Sequence, residues 1–147
     1  MEKILIAIDY DQTSHKVAEG GFKLAKSLNA EVILLHVISK PVLYYSSYML
    51  MPPLQINSVD ELKAVSQNFL HKMKHDLGDD TIQTLVKEGD ISESILETAK
   101  DLDTAFIVLG THSRKWLEDI LMGSVAENVL KHSTLPLFII PTKKQES

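Results

Sequence analysis

Five short segments of the chain are rich in apolar and β-branched residues. They are KILIAI (3–8), EVILLHV (31–37), TIQTLVK (81–87), AFIVLG (105–110) and LPLFII (135–140). Four of them are nearly continuous apolar runs, a pattern typical of strands covered on both faces, as in parallel sheets. The segment 81–87 alternates apolar and polar residues instead. We therefore predict five strands, with the segment 81–87 at an edge of the sheet.

Between these strands, apolar residues recur at three- and four-residue spacing, which predicts amphipathic helices. The four predicted stripes are Val17, Gly21, Leu24, Ala25 and Leu28; Leu62, Val65, Phe69, Met73 and Leu77; Ile91, Ile95, Ala99 and Leu102; and Val125, Val129 and Leu130. An N-capping pattern marks the start of the last three helices. The capping pairs are Ser58 with Glu61, Asp90 with Glu93, and Ser124 with Glu127.

Strands and helices thus alternate along the chain. This order predicts an α/β domain, an open five-stranded parallel sheet with right-handed crossovers and helices on both faces, in a Rossmann-like architecture. A length of 147 residues suits one domain, which we expect to span 1–147. One long connection, 41–56, is punctuated by prolines. It has two open interpretations: a loop folded over the sheet edge or the next helix, or a lid or partner-binding patch.

The composition narrows the class of protein. With 44% apolar and 24% charged residues, the chain is typical of a folded globular domain, and the absence of cysteine excludes disulfides, thiolate nucleophiles and cysteine-bound zinc. The formal charge of −5 opposes binding to nucleic acid. Asp9 interrupts the first apolar run too early for a signal peptide, and no apolar run approaches the roughly 20 residues of a membrane span. We therefore expect a cytoplasmic protein that binds neither nucleic acid nor membranes.

Motifs of known catalytic and metal sites are missing from the sequence. We find no GxSxG, no HExxH and no pair of carboxylates placed over a pocket, so no catalytic residue is predicted. His71 and His75 are four residues apart but have no third ligand nearby in sequence, which favours an exposed helix face over a metal site. Gly20 and Gly21 lack the spacing of a phosphate loop. We interpret them as positions where the first helix packs closely on the sheet.

Two strand ends and one helix start are the candidate ligand site. In open parallel sheets, ligands bind beyond the carboxyl ends of the strands, and Asp9 and Gly110 occupy such ends. Gly110 allows a sharp turn, and Gly123 allows a phosphate to approach the first amides of the fourth helix. Those amides lack intrahelical partners and lie at the positive end of the helix dipole. The hydroxyl of Ser124 can cap the helix or donate to a phosphate. We therefore predict a polyanionic ligand.

The segment GTHSRKWLEDILMGSVAENVL (110–130) resembles the universal stress protein family. Nucleotide-binding members of that family carry Gly, two residues, Gly, nine residues, then Gly-Ser. Here Gly110 and Gly123-Ser124 keep that spacing, with Ser113 in place of the second glycine. KILIAID, LLHVI, Gly89 and the closing LPLFIIP also look like landmarks of the family, so the resemblance covers nearly the whole chain.

The resemblance implies a strand order of 3-2-1-4-5 and an adenine nucleotide, ATP or its relatives AMP and ADP, with Mg or Mn as the accompanying ion. By the same resemblance, Asp9 and Val37 would line the adenine and ribose end of the cleft. The residues implied at the ribose and phosphates are Gly110, His112, Ser113, Gly123, Ser124 and Val125. Family members commonly dimerise through the last strand, here 135–141, whose apolar edge needs cover.

Two residues depart from the family pattern. Ser113 adds a Cβ, which costs about 1 to 2 kcal/mol if that position needs left-handed backbone, although its hydroxyl could bond a phosphate. Tyr10 stands where a small residue is common and would narrow the entrance. Three hypotheses follow: a stress protein that binds an adenine nucleotide as a regulatory ligand, a nucleotide-free dimer acting through protein contacts, and a slow ATPase or self-phosphorylating protein with Ser113 or Ser124 as acceptor.

Overall fold

The structure, a computed structural model, describes residues 1–39, 59–111 and 122–142. Within these ranges strands and helices alternate as the hydrophobic pattern predicts. The strands are β1 (Lys3–Ala7), β2 (Glu31–Ile38), β3 (Gln83–Glu88), β4 (Phe106–Gly110) and β5 (Leu137–Ile140), and the helices are α1 (Ser14–Leu28), α2 (Val59–Leu77), α3 (Ile91–Asp101) and α4 (Ser124–His132). The connection 41–56 and the capping residue Ser58 lie outside the described residues.

The five strands form one parallel sheet in the order β3-β2-β1-β4-β5. In the centre, Leu5 of β1 pairs with Ile33 of β2 on one side and Ile107 of β4 on the other. The chain winds outward from β1 to β3 and then returns to β4, so the direction of winding reverses between β1 and β4. This topology confirms the predicted order and the edge position of β3.

Side chains of the sheet alternate between two apolar layers. Ile4 and Ile6 belong to a cluster that also contains buried residues of α1 and α2, such as Val17 and Leu70. Leu5 belongs to a second cluster, which contains buried residues of α3 and α4. Because each central strand contributes to both clusters, its apolar run is continuous. The helices therefore cover both faces of the sheet, as expected.

Two glycines let α1 pack closely on the sheet. A Cβ added at Gly21 would lie 2.6 Å from Cδ1 and 2.8 Å from Cγ1 of Ile6. A Cβ added at Gly20 would lie 2.5 Å from Cδ1 of Ile140. These distances confirm that the glycine pair serves packing of the helix.

Parts of the predicted helix stripes are wrong. In α2, Val65 is 40% exposed, whereas Ser66 and Leu70 are buried. The apolar residues of this helix cover a wide arc, so the periodicity alone could not choose between neighbouring stripes. Leu28, the last residue of α1, and Leu130 of α4 are also exposed. None of the helices in the described ranges combines the length and apolar character that crossing a bilayer requires.

One of the two described capping patterns forms. The carboxylate of Asp90 accepts a hydrogen bond from the Glu93 amide at 2.9 Å, which caps α3 as predicted. The pattern Ser124 with Glu127 does not form, because Gly123 occupies the N-cap position and Ser124 is already the first residue of α4. The start of α4 therefore has no side-chain cap.

Candidate functional site

A cleft opens at the carboxyl ends of β1, β2 and β4, where the winding of the sheet reverses. It contains about 690 Å³ of empty space, its open side included. The described lining residues are Ala7, Ile8, Asp9, Thr13, Val17, Leu35, His36, Val37, Ile91, Ile95, Leu109, Gly110, Thr111, Gly123, Ser124, Val125 and Ala126. The location agrees with the rule for ligand sites in doubly wound sheets.

Six of the eight predicted site residues line this one cleft. They are Asp9, Val37, Gly110, Gly123, Ser124 and Val125, which come from three strand ends and one helix start. The other two, His112 and Ser113, lie outside the described residues. The sequence missed several lining residues, among them His36, Ile91 and Thr111, because their side chains look like ordinary strand or helix positions. A signal for Thr111 was its place directly after Gly110.

The start of α4 presents unpaired amides to the cleft. Gly123 has φ −71° and ψ 165°, and its carbonyl oxygen accepts the first helical hydrogen bond, from the Glu127 amide at 3.0 Å. The intervening amides of Ser124, Val125 and Ala126 therefore have no partner within the described ranges. Together with the positive end of the helix dipole, they can bind an anion. Since a φ of −71° is open to any residue, a glycine at this N-cap is not required by backbone conformation.

The amide of Gly123 itself already has a hydrogen-bond acceptor within the protein. It donates to the carbonyl oxygen of Thr111, the residue after β4. The donors available to a ligand begin one residue later, at Ser124.

The N-terminus of α3 also lies at the cleft, but a side chain caps it. Ile91, the first residue of α3, lines the cleft, but the Asp90 carboxylate caps that helix. A protein carboxylate thus already occupies the N-terminus of α3, whereas α4 has no side-chain cap. Between these two helix starts, α4 is the one open to an external anion.

Asp9 is held at the end of β1 by a short turn. Its Oδ1 accepts from the Tyr10 amide at 2.9 Å. Next in the chain, Oδ1 of Asp11 accepts from the Thr13 amide at 2.8 Å and from the Thr13 hydroxyl at 2.6 Å, which fixes the entry into α1. Asp9 is the one carboxylate among the described lining residues, and they include no lysine or arginine. The described lining is therefore mostly apolar, with neutral polar side chains and the one carboxylate of Asp9.

A hydrogen bond from the His36 side chain connects β2 to the residue before Asp9. The ring is buried, and its Nδ1 donates to the Ile8 carbonyl oxygen at 3.0 Å. Because a carbonyl oxygen only accepts, this bond assigns a proton to Nδ1. A polar residue within the apolar run of β2 was the available sequence signal for this contact.

Tyr10 turns toward α2. Its ring stacks on the ring of Phe69 with centroids 4.5 Å apart, and it is absent from the described lining of the cleft. The ring therefore contacts α2 rather than the described lining of the cleft. Within the described ranges, no cluster of three or more histidine, aspartate or glutamate side chains could hold a metal ion.

Comparison with known proteins agrees with this fold and cleft. The model of the universal stress protein family matches residues 1–141. Universal stress protein MJ0577 of Methanocaldococcus jannaschii is 31% identical over 156 residues, covering 97% of this chain and 96% of that protein. Universal stress protein YxiE of Bacillus subtilis is 30% identical over 144 residues, covering 94% of this chain and 97% of that protein.

Solved structures share the fold over nearly the whole chain. The structure of MJ0577 matches with a TM-score of 0.76 at 30% identity, covering 98% of each chain. A universal stress protein in complex with cAMP matches with a TM-score of 0.67 at 16% identity, covering 97% of this chain and 98% of that one, a likeness that shows the fold alone. On the family match and the relatives at 30% identity or more, the chain belongs to the universal stress protein family.

Proposed function

We propose that this universal stress protein binds an adenine nucleotide, ATP or its relatives ADP and AMP, as a regulatory ligand in a stress response. The observation that carries the proposal is the uncapped start of α4, whose Ser124, Val125 and Ala126 amides face the cleft without partners in the described ranges. A phosphate group is an anion that suits such amides. The phosphates would lie there, and the resemblance to the family's motif adds Gly110, His112 and Ser113 to the same end.

The nucleoside would occupy the other end of the cleft. There, Val37 at the end of β2 and apolar side chains such as Ile91 and Ile95 offer a surface for a base, and the Asp9 carboxylate can accept hydrogen bonds from amino or hydroxyl groups. A universal stress protein of this fold is known in complex with cAMP, which supports an adenine nucleotide as the kind of ligand.

The charge of the described lining favours a metal complex of the nucleotide. A triphosphate is strongly negative, and the described lining contributes the Asp9 carboxylate, which is an anion as well. Helix amides supply only partial positive charge. We therefore expect the nucleotide to bind as its Mg²⁺ or Mn²⁺ complex, with the ion held mainly by phosphate oxygens.

Two measurements test the proposal. Purified protein is denatured, and the supernatant is separated by anion exchange to detect co-purified nucleotide. The protein is then titrated with ATP, with and without Mg²⁺, and phosphate release is followed in the same samples. We expect saturable binding that Mg²⁺ strengthens and little release. No retained nucleotide and no saturation at millimolar MgATP would contradict the proposal, and steady release would favour the slow ATPase.

A second candidate function is a nucleotide-free dimer that acts through protein contacts. One observation favours it: β5 is an edge strand, and its Phe138 is 38% exposed. An apolar edge strand invites pairing with a second strand, in the simplest case the same strand of another copy through 135–141. Dimerisation itself is compatible with nucleotide binding, since the cleft lies at the strand ends rather than along the β5 edge. A cytoplasmic location stays a prediction from the sequence.

A further inference from the structure

Thr111 makes hydrogen bonds in three directions at the base of the cleft. Its amide donates to the Ile140 carbonyl oxygen at 3.0 Å, which continues the pairing of β4 with β5. Its carbonyl oxygen accepts from the Gly123 amide at the N-cap of α4. Its hydroxyl oxygen accepts from the Thr142 amide at 3.0 Å and lies 3.2 Å from the Thr142 hydroxyl. One residue thus joins three parts of the chain.

These bonds determine where the open amides of α4 lie. The Gly123 amide is the last donor before the helix, so its bond to Thr111 fixes the N-cap against the end of β4. Thr142 is 9% exposed and Thr111 is partly buried, so the hydroxyl pair is partly shielded from water. Losing the bond to the Thr111 hydroxyl removes an acceptor from the Thr142 amide, which costs more at a shielded amide than at an exposed one.

We infer that Thr111, anchored by Thr142, is a positioning residue that sets the phosphate end of the cleft. This inference rests on the proposed nucleotide function. Thr111 would not recognise the base. It holds the amides of Ser124, Val125 and Ala126 at a fixed distance from the end of β4, so that a phosphate meets them without rearrangement of the helix. The Thr111 side chain would therefore affect the binding of phosphates more than the binding of the nucleoside.

The test compares Thr111→Val, Thr111→Ser and Thr142→Val with the wild-type protein. Valine keeps the shape of threonine but removes the hydroxyl, whereas serine keeps the hydroxyl. Thr104→Val is the control, because Thr104 is a buried threonine whose hydroxyl also takes part in a hydrogen bond, here to the Ala99 carbonyl oxygen at 3.2 Å, at the other end of β4. Thermal unfolding of each variant reports the cost to stability.

Hydrogen exchange of ligand-free protein gives the first readout. Thr111→Val and Thr142→Val should speed exchange of the Gly123 amide by roughly fivefold to tenfold, because the Thr111 backbone that accepts this amide is held less firmly once its side-chain contact with Thr142 is weakened, while Thr111→Ser and Thr104→Val leave it close to wild type. Unchanged exchange at Gly123 in both valine variants would overturn the positioning role. Because this measurement needs no nucleotide, it tests the positioning role of Thr111 even if the wild-type protein binds no ATP. Absence of ATP binding would instead refute the proposed function.

Nucleotide affinity gives the second readout. Thr111→Val should weaken the binding of ATP by roughly fivefold to tenfold and the binding of adenosine by less than about twofold. Thr111→Ser should restore ATP binding. If Thr111 had a purely structural role, Thr111→Val would unfold at a lower temperature but keep the wild-type ratio of ATP affinity to adenosine affinity. We expect this behaviour for Thr104→Val. Equal weakening of ATP and adenosine by Thr111→Val would therefore contradict the inference.

Discussion

Tyr10 and Phe69 form a stacked pair that joins the β1–α1 turn to α2, with ring centroids 4.5 Å apart and planes at 29°. The ring of His36 meets Phe69 at an edge, with a centroid distance of 6.3 Å. Phe69 therefore contacts both the turn that follows Asp9 and the histidine that binds the Ile8 carbonyl. We expect this aromatic group to support the turn, although the Tyr10 ring itself is absent from the described cleft lining.

Tyr10→Ala should lower the stability of the protein with little effect on nucleotide binding. Loss of the stacked pair should reduce the free energy of unfolding by about 1 kcal/mol, and Tyr10→Phe, which keeps the ring, should restore most of it. Urea unfolding measures the first effect, and ATP titration measures the second. A gain in ATP affinity in Tyr10→Ala would show that the tyrosine does obstruct the entrance, as the sequence alone suggested.

The glycine pair of α1 offers a second prediction, because the two neighbours differ in what surrounds them. Alanine in place of a helical glycine gains about 1 kcal/mol from propensity, whereas overpacking a core costs about 1–3 kcal/mol. At Gly21 the added methyl would meet two atoms of Ile6, which is fully buried, so we expect Gly21→Ala to destabilise. At Gly20 the closest contact is the terminal methyl of Ile140, which can rotate. Gly20→Ala should therefore be nearly neutral in thermal unfolding, and equal losses at both positions would contradict this reasoning.

Gly123→Val should abolish ATP binding while the fold persists. Because Gly123 has φ −71°, valine can adopt its backbone, and a poorer N-cap should cost no more than about 1 kcal/mol. The expected loss of binding comes from the two methyl groups, which would stand where a phosphate approaches the helix. Gly123→Ala should give an intermediate affinity. Wild-type affinity in the valine variant, measured by titration, would rule out phosphate binding at this helix start.

Much of the fold could be predicted because burial on both faces leaves a direct pattern in the sequence. The apolar runs located the strands to within a few residues, and alternation in 81–87 identified β3 as an edge. The pattern failed where a helix presents a broad apolar arc. Ser66 is 1% exposed in α2 while Val65 is 40% exposed, and a binary pattern cannot anticipate a buried serine.

The cleft was predictable only in part, for a related reason. Residues at strand ends, such as Asp9 and Gly110, could be predicted because parallel strands bring their carboxyl ends to one edge. The contribution of Thr111 depends on Thr142, which is 31 residues away and reaches it only because Gly110 pairs with Ile140. Strand register decides that contact, and no local spacing in the sequence records it. Strand register likewise decides the contact between the His36 ring and the Ile8 carbonyl oxygen.

The apolar edge of β5 leads to the last prediction, that the protein is a dimer in solution. Phe138 of β5 and Val65 of α2 have nearly equal exposure, 38% and 40%, but only Phe138 lies on an edge strand. Phe138→Lys places a charge where a second strand would pack and should shift the protein from dimer to monomer at micromolar concentration. Val65→Lys introduces the same charge on α2 and should leave the dimer intact. Comparing the two lysine variants therefore separates an effect at the β5 edge from a general effect of added charge. Sedimentation measures both variants, and a monomeric wild-type protein would contradict pairing through this edge.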